Sequence, residues 1–224
     1  VSSVFSFTTE GLAGDCAAGT IPNVLYDYGF EAGANGWTSS GTGNTWAISA
    51  ANPHSGASHY HANDPAAVSD QRLVSPAVAL PTGEDPVVLK FWHQPDLEPS
   101  GSTACYDGGI LEISTDGGAT FTQVLEASLL VGGYRGTVSS SFGNPLAGLQ
   151  AWCGEAAYFQ TIADVTAWAG QTVMFRLRLG SDTSVTGPGW DVDDVAVQSC
   201  VADTMPFLGD FETGDTSQWS AAFP

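Results

Sequence analysis

Basic residues are scarce in this sequence. The 224 residues include five Lys and Arg against 24 Asp and Glu, which gives a formal net charge of −19. Nucleic-acid phosphates and anionic membrane surfaces attract proteins through Lys and Arg. The composition therefore excludes a nucleic-acid-binding protein and argues against membrane binding. It favours cations as partners.

Long apolar runs are also missing. No stretch of about 20 apolar residues occurs, so we expect no membrane insertion. The chain opens at Val1 without the basic start and apolar core of a signal peptide. We therefore expect a mature or processed piece of a longer secreted product.

Catalytic signatures are missing too. The sequence contains no G-x-S-x-G motif, phosphate-binding loop or dinucleotide fingerprint, and Ser55 lacks the strand–elbow–helix context of a nucleophile. Glycosidases need two carboxylates across a cleft. Acids such as Asp96, Glu98, Asp107 and Glu112 are too abundant here to single out a pair. We expect a protein that is not an enzyme, with an unrecognised hydrolase as the alternative.

The four cysteines form no C-x-x-C pair, which argues against a zinc ribbon. An even number in an acidic, Gly-rich chain predicts two disulfides and an oxidising compartment. We predict the pairs Cys105–Cys153 and Cys16–Cys200, the second of which would tie the entrance of the domain to its exit. Each closes a long loop, worth about 4–5 kcal/mol in the chain-entropy model. The alternative is four buried free thiols.

Short alternating segments dominate what is present. Residues 172–179 alternate between an apolar face and a face with Arg176 and Arg178, which places the arginines on a solvated surface. Residues 32–45 and 127–154 are predicted as loops, and only 164–170 suggests a helical turn. Further strands are predicted at 24–28, 46–49, 71–75, 86–93, 109–115, 121–125 and 158–165. Many short strands joined by turns indicate an all-β sandwich.

The sequence divides into three parts. Residues 1–21 form an N-terminal extension with a strand at 1–9, and residues 22–200 form the main domain. Residues 201–224 form a tail whose segment 207–219 repeats the opening motif in truncated form. Both extensions contain segments without a pairing partner. An alternative role is therefore a self-assembling extracellular fibre subunit that binds other copies of itself through terminal strands.

Short motifs follow one another along the main domain in the order Phe30-Glu31, Gly36-Trp37, His54-Ser55-Gly56, Phe91-Trp92, Gly109 to Ser114, Trp190 and Asp193-Asp194-Val195. This order resembles that of MAM-type domains, especially the MAM-like or "choice-of-anchor J" modules of bacterial secreted proteins found beside immune-inhibitor-A and fungalysin-type peptidases. The resemblance covers roughly residues 22–200. A MAM domain proper has a cysteine just before Gly-Trp, where this chain has Ala34-Asn35, so the animal-type disulfides and adhesive dimerisation do not transfer.

The resemblance implies a jelly-roll β-sandwich of two antiparallel sheets, no catalytic centre and often a bound Ca²⁺. In similar modules the Glu of the Phe-Glu motif and the first Asp of Asp-Asp-Val contribute metal oxygens. These positions are Glu31 and Asp193 in this chain.

Residue chemistry gives the same expectation of calcium. The Phe30-Glu31 and Asp193-Asp194-Val195 motifs are both predicted as strands that carry a carboxylate where a strand usually carries an apolar residue. A cation between the two strands, if they pair, would explain these carboxylates. The loop 61–65 adds Asn63 and Asp64 to Glu31 and Asp193, and Ca²⁺ takes six to eight such oxygens. The alternative is that these acids are solvated or pair with arginines, although five basic residues cannot neutralise 24 acids.

Zinc is the rival metal. His59 and His61 would share a face if they lie on a strand, and Asp64 follows closely. His54 and His93 are further candidates. Surface or capping histidines are the simpler interpretation, because one spacing does not define a zinc site.

Aromatic residues near loops suggest glycan binding. Trp92, Tyr134, Trp152 and Tyr158 could stack on sugar rings, or they could belong to the core. The function that the sequence favours is a secreted, calcium-binding accessory module for adhesion or substrate targeting. Its partner would be an extracellular protein or glycan surface, and a carbohydrate-binding module is the alternative.

Overall fold

A computed structural model describes residues 12–203. Strands account for most of the regular structure in this range, and two short 3₁₀ helices cover Glu126–Ser128 and Thr166–Trp168. The strands of the first half are β1 (Thr20–Tyr28), β2 (Thr38–Thr42), β3 (Ala47–Ser49), β4 (His59–Asp64), β5 (Ser69–Val74), β6 (Val78–Ala79), β7 (Val87–Asp96) and β8 (Ala104–Cys105). Those of the second half are β9 (Gly108–Ser114), β10 (Thr122–Gln123), β11 (Leu129–Val131), β12 (Gly136–Val138), β13 (Gln150–Ala151), β14 (Phe159–Asp164), β15 (Thr172–Ser181) and β16 (Gly187–Ala202).

The strands form two main antiparallel sheets, which confirms the predicted jelly-roll sandwich. The first sheet has the order β11-β14-β7-β16-β4-β3, with β1 also paired to β16. The second has the order β10-β9-β15-β5-β2, with β6 beside β15. A small third sheet, β13-β12-β8, includes the parallel pair β12–β8.

The core lies between the two main sheets. Along β15, Val173, Phe175, Leu177 and Leu179 are all buried, as the alternation predicts. Burying such side chains contributes roughly 25 cal/mol for each Å² removed from water. Two tryptophans, Trp152 and Trp190, are among the largest fully buried side chains.

The two arginines of β15 are not solvated as predicted. Arg176 Nε lies 2.5 Å from Glu112 Oε2, and Arg178 Nε lies 2.7 Å from Asp70 Oδ1. Glu112 on β9 is itself buried. The outer face of this sheet therefore contains ion pairs that are mostly withdrawn from solvent, because neighbouring strands supply acids at matching positions.

The first and last described strands pair with each other. β1 runs antiparallel to β16 from Thr20 opposite Ala202 to Tyr28 opposite Val195. The predicted disulfide Cys16–Cys200 closes the same edge, with 5.4 Å between the Cα atoms. The predicted Cys105–Cys153 bond also forms, with Cα atoms 5.8 Å apart. Both cysteine predictions are confirmed.

Several element predictions are wrong in detail. Residues 38–42 form β2 inside a predicted loop, because an edge strand of exposed Ser, Thr and Gly shows no apolar alternation. Residues 61–64 belong to β4 rather than to a loop. The predicted strand 121–125 is reduced to β10, and the long loop 127–154 contains β11, β12 and β13. The helical turn at 164–170 is a 3₁₀ helix.

The strand predicted at 1–9 and the repeated motif at 207–219 lie outside the described residues, so the three-part division stays a prediction. Within residues 12–203, neither short helix has the length or apolar character needed to cross a membrane.

Candidate metal sites

Glu31 lies in a turn and not on a strand as predicted. β1 ends at Tyr28, and Phe30 takes a positive φ of 62° that turns the chain. The Glu31 side chain then meets a loop from elsewhere. The backbone N–H groups of Ala57 and Ser58 both donate to its Oε1 at 2.9 Å.

Asp193 on β16 holds the other end of the same loop. Its Oδ2 accepts hydrogen bonds from the backbone N–H groups of His54 at 2.9 Å and Ser55 at 3.2 Å. Its Oδ1 accepts from the N–H of Asp194 at 2.8 Å. We call residues 54–58 the clasp loop, since carboxylates from the two predicted motifs both bind it.

Glu31 and Asp193, which we call the clasp, offer oxygen ligands but accept most of their hydrogen bonds from the backbone. Burial raises the pKa of Asp193, while the amides of His54 and Ser55 act in the opposite direction. Within residues 12–203, Glu31 Oε2 accepts no hydrogen bond, and each carboxylate oxygen has more than one lone pair. The carboxylates therefore fit Ca²⁺ by chemistry, although the amides already hold the loop.

Asp64 and Asn63 do not join Glu31 and Asp193. Asp64 lies at the far end of β4 from Ser58, and the five steps from His59 span about 16 Å at the usual strand rise. Asn63 is exposed, and its Oδ1 lies 3.1 Å from His61 Nε2. The four residues predicted as one calcium site are therefore divided between separate places.

Asp64 instead belongs to a cluster that we call the acid pocket, formed by Asp64, Glu98, Asp107 and Asp182. Asp64 ends β4, Glu98 follows β7, Asp107 precedes β9 and Asp182 follows β15. Asp107 is fully buried, and Asp64 and Asp182 are each 2% exposed. Four chain segments thus deliver four acids to one edge of the sandwich.

Only some carboxylate oxygens of the acid pocket accept a hydrogen bond. The backbone N–H of Asp182 donates to Asp107 Oδ1 at 2.6 Å, and that of Glu98 reaches Asp64 Oδ2 at 3.3 Å. Within the described range, Asp64 Oδ1, Asp107 Oδ2 and Glu98 Oε2 are buried without a hydrogen-bond partner. No Lys or Arg from residues 12–203 forms an ion pair with any of the four acids.

Burial without basic partners changes the acidity of the pocket. Desolvation raises the pKa of Asp64 to about 6. Desolvation, followed by the charge of Asp64, raises the pKa of Asp107 to about 8. Both shifts reflect the cost of placing negative charge in a low-dielectric setting beside another carboxylate.

A cavity of about 210 Å³ opens beside the acid pocket. It is lined by Glu98, Tyr106, Phe142, Asp182 and Ser184. The rings of Tyr106 and Phe142 meet edge to face with centroids 5.5 Å apart, and Phe142 is 46% exposed. The cavity thus combines an accessible aromatic surface with carboxylate acceptors.

The zinc candidates separate in a similar way. His59 Nε2 and His61 Nδ1 lie 2.9 Å and 2.6 Å from the same oxygen, Asp191 Oδ1, so Asp191 takes the place predicted for Asp64. Burial would raise the pKa of Asp191, but hydrogen bonds from both histidines outweigh it and lower the pKa. The hydrogen bond to Asp191 raises the pKa of His61.

The remaining two histidines lie elsewhere. His93 is buried in the core, where it accepts a hydrogen bond from Trp190 Nε1 at 3.1 Å, and burial lowers its pKa to about 3. His54 stacks on Trp92 with ring centroids 4.1 Å apart. Neither is near enough to His59 and His61 to be grouped with them as a metal ligand.

The four predicted sugar-stacking aromatics do not form one surface. Trp152 is 1% exposed, and Tyr134 packs against it at 4.5 Å while donating its O–H to Val124 O at 2.8 Å, so these two belong to the core. Trp92 and Tyr158 are partly exposed on either side of His54. Core burial is the reason that Trp152 and Tyr134 are unavailable to a ligand.

Sequence reasoning missed three members of the acid pocket. Glu98, Asp107 and Asp182 were considered only as unspecific acids or not at all. Each of the three acids lies a few residues outside a predicted strand, and the loops of a sandwich gather at its edges. Their positions relative to the strands are the signal that could have indicated an acid cluster. No residue pattern indicates which edge of the sandwich each acid would reach.

Comparisons with known proteins give one relative by sequence and a set of similar folds. No known family profile matches the chain. Bacillopeptidase F of Bacillus subtilis (strain 168) is 28% identical over 181 residues, which cover 77% of this chain and 10% of that protein. The chain thus spans about a tenth of the length of this relative.

Solved structures with a similar fold include the K3 adhesin domain of Lys-gingipain from Porphyromonas gingivalis W83, with 16% identity, 79% and 98% coverage of the two chains and a TM-score of 0.49. Another is the CBM22-1 xylan-binding domain of Paenibacillus barcinonensis Xyn10C, with 13% identity, 84% and 97% coverage and a TM-score of 0.43. Neither likeness says what this chain binds.

Proposed function

We propose that this chain is a non-catalytic, calcium-binding accessory module of an extracellular protein, serving attachment or substrate targeting, and that it belongs with the MAM-like modules it resembles. One observation supports the calcium most directly. The ion pairs of Lys and Arg within residues 12–203 involve Asp15, Asp70 and Glu112, so neither the clasp nor the acid pocket forms an ion pair with Lys or Arg.

The place of the chain in a longer protein is inferred from its relative. Bacillopeptidase F is named as a peptidase, and only a tenth of its length matches this chain. That proportion suits one module among several. The two disulfides suit an oxidising, extracellular setting.

The acids considered for glycosidase chemistry support a binding role. Glu112 is held by Arg176 and Arg178, and Asp107 is fully buried, away from a substrate. Glu98 and Asp182 reach the cavity, where they would accept hydrogen bonds from a ligand. We therefore assign these side chains to binding and stability.

Calcium at the clasp would use Glu31 and Asp193, joining the turn after β1 to the last strand. The test is thermal unfolding of the chain in 1 mM Ca²⁺ and in EDTA, together with calorimetric titration of Ca²⁺. A ligand at 1,000 times its dissociation constant adds about 4 kcal/mol, which corresponds to roughly 10 °C for a domain of this size.

The paired variants are Glu31→Gln and Asp193→Asn, each expected to lose the part of the calcium-dependent shift that an ion at the clasp contributes. A shift as large in both variants as in the unmodified chain would contradict calcium at the clasp. Glu155→Gln changes one exposed acid whose charge acts on Asp96, which is not part of the clasp, and it should keep the full shift. Equal melting temperatures of the unmodified chain in Ca²⁺ and EDTA, with no heat of binding, would contradict the proposal.

Carbohydrate binding is the second candidate function, and the cavity beside the acid pocket favours it. An exposed aromatic ring beside Glu98 and Asp182 can stack on a sugar while the carboxylates accept its hydroxyl hydrogen bonds. The volume is below that of pockets for drug-sized ligands, so it suits about one sugar ring.

A glycan array followed by calorimetry tests this second candidate. Phe142→Ala should abolish binding of any glycan found, whereas Tyr158→Phe lies on the other aromatic surface and should bind normally. Binding that survives Phe142→Ala would move the glycan site away from the cavity, and an array without a hit would remove this candidate.

A further inference from the structure

We propose that the acid pocket is a second divalent-cation site, of the Ca²⁺ type, which clamps the two sheets together at one edge of the sandwich. Its ligands are the carboxylates of Asp64, Glu98, Asp107 and Asp182. The inference does not rest on calcium at the clasp, because the two sets share no residue and lie at opposite ends of β4.

The first argument is the state of the buried oxygens. Asp64 and Asp107 are at least nine-tenths buried, and in the described range each has one buried oxygen, Asp64 Oδ1 and Asp107 Oδ2, without a hydrogen-bond partner. The two carboxyl groups lie near enough to share a hydrogen bond. Ionised carboxylates only accept hydrogen bonds, so the pair needs either a proton or a cation between them.

The second argument is distance. Glu98, Asp107 and Asp182 each offer a carboxylate oxygen, and these oxygens lie within 4.8 Å of one another. Two oxygens bound to Ca²⁺ at 2.3–2.6 Å can be at most about 5.2 Å apart, so this spread fits one ion. The adjoining cavity provides room for water ligands and a route of entry.

The third argument is the type of ligand. All four side chains are carboxylates, and hard oxygen ligands suit Ca²⁺ or Mg²⁺ rather than zinc or copper. The His59, His61 and Asp191 group has the opposite character, since its two imidazoles already bind the carboxylate. The acid pocket is therefore the better cation site of the two.

The position of the pocket gives the ion a structural role. Asp64 and Glu98 adjoin β4 and β7 of the first sheet, whereas Asp107 and Asp182 adjoin β9 and β15 of the second. Asn144 from the long loop donates to Tyr106 O and Gly180 O, both at 2.8 Å, and fastens that loop beside the pocket. An ion here would link both sheets, and its binding free energy would add to folding stability.

The experiment counts bound Ca²⁺ per chain by equilibrium dialysis at pH 7.5 and measures unfolding in Ca²⁺ and in EDTA. Asp107→Asn and Asp64→Asn preserve shape but remove charge, so each should weaken the pocket ion at least about tenfold. In EDTA both variants should melt at or above the unmodified chain, because the repulsion is gone. In Ca²⁺ the unmodified chain should have a higher melting temperature than either variant.

A ligand variant should be less stable than the unmodified chain in Ca²⁺ alone, whereas replacing a merely structural residue should lower the melting temperature in EDTA as well. Glu31→Gln is the matched variant at the clasp, and it should leave pocket binding intact even if the clasp binds no ion. Glu98→Gln, at the partly exposed rim, replaces Asp107→Asn if the latter does not fold. Unchanged Ca²⁺ binding in the pocket variants would overturn the proposal and leave a shared proton between Asp64 and Asp107 as the explanation.

Discussion

Asp107 and Asp193 are both fully buried carboxylates, yet their surroundings differ in one respect. Asp193 accepts three backbone N–H groups through its two oxygens. Asp107 has a short hydrogen bond at Oδ1 and no partner at Oδ2 within the described residues. Since a buried charge needs donors or a counter-ion, the nearby backbone N–H groups decide how much of the charge of each carboxylate is left for another partner to balance.

A third carboxylate, Asp191, shows how histidine can supply the missing donor. Its Oδ1 lies within hydrogen-bond distance of both His59 and His61, and its Oδ2 accepts from Asn52 Nδ2 at 2.8 Å. The pKa of His61 rises as a result, so the folded state holds the His61 proton more strongly than the unfolded chain.

This linkage predicts a pH dependence that His61→Gln reduces. The His61–Asp191 pair makes its full contribution to the free energy of unfolding below the unfolded histidine pKa of about 6.5. This contribution is lost as the pH rises through the higher pKa of His61 in the folded state. We expect the unmodified chain to lose about 1 kcal/mol more than His61→Gln between pH 6 and pH 8.5, as for a charge-assisted hydrogen bond. Urea unfolding at both pH values measures this difference.

Asn63→Ala serves as the control for that comparison. It removes the neutral partner of His61 Nε2 but leaves the contact with Asp191 in place. Its pH dependence should lie between those of the unmodified chain and His61→Gln, because the hydrogen bond to Asn63 also raises the pKa of His61, although less than the bond to Asp191 does. An equal slope in His61→Gln and the unmodified chain would mean that the His61–Asp191 pair does not couple folding to pH.

At the level of elements, β16 organises most of the first sheet. It pairs with β1, β4 and β7, and its register shifts once near Gly189 and again between Asp193 and Ala196. Asp194 takes a positive φ of 48° at the second shift. Such bulges re-aim side chains, and here they accompany the carboxylates that bind the clasp loop.

Gly189 is required at the first shift. Its φ is 122°, and a Cβ there would lie 2.0 Å from the carbonyl oxygen of Ala62 on β4. We predict that Gly189→Ala destabilises the chain by more than about 2 kcal/mol, because backbone strain and a clash with fixed backbone add together. Urea unfolding gives the free energy.

Gly148→Ala separates strain from clash. Gly148 also has a positive φ, 82°, but a Cβ there would meet nothing within 4 Å. Its replacement should cost only about 1 kcal/mol. Similar losses in the free energy of unfolding for both variants would show that the contact between Ala62 and a Cβ at position 189 is relieved at little cost.

On the scale of the whole molecule, the fold is closed where its beginning meets its end. The β1–β16 pair and the Cys16–Cys200 bond act at the same edge, and the bond closes a loop of 184 residues. Cys105–Cys153 closes 48 residues. In the chain-entropy model the longer loop contributes about 1 kcal/mol more than the shorter one.

We predict that the double variant Cys16→Ser with Cys200→Ser loses more stability than Cys105→Ser with Cys153→Ser. Each loss should fall within about 2–5 kcal/mol. Urea unfolding of both variants, in EDTA to remove any contribution from metal, measures the order. The opposite order would indicate that joining β8 to the chain just after β13 matters more than loop length.

The sequence by itself determined the fold class, both disulfides and the pairing of the first and last strands. These features depend on local alternation, turn residues and a small number of cysteines, which the sequence displays directly. It also identified Glu31 and Asp193, whose carboxylates do meet on one loop. It placed Glu31 on a strand, because the positive φ that turns the chain falls on Phe30 and not on the neighbouring Gly29.

Only the tertiary structure decided which acidic side chains are buried away from solvent. Asp64, Glu98, Asp107 and Asp182 come from four segments, and their meeting depends on how both sheets align at one edge. The same packing buried Trp152 and placed the partly buried Tyr134 against it, while leaving Phe142 exposed. Burial and electrostatic repulsion arise from contacts between distant segments, so no local pattern of residues contains them.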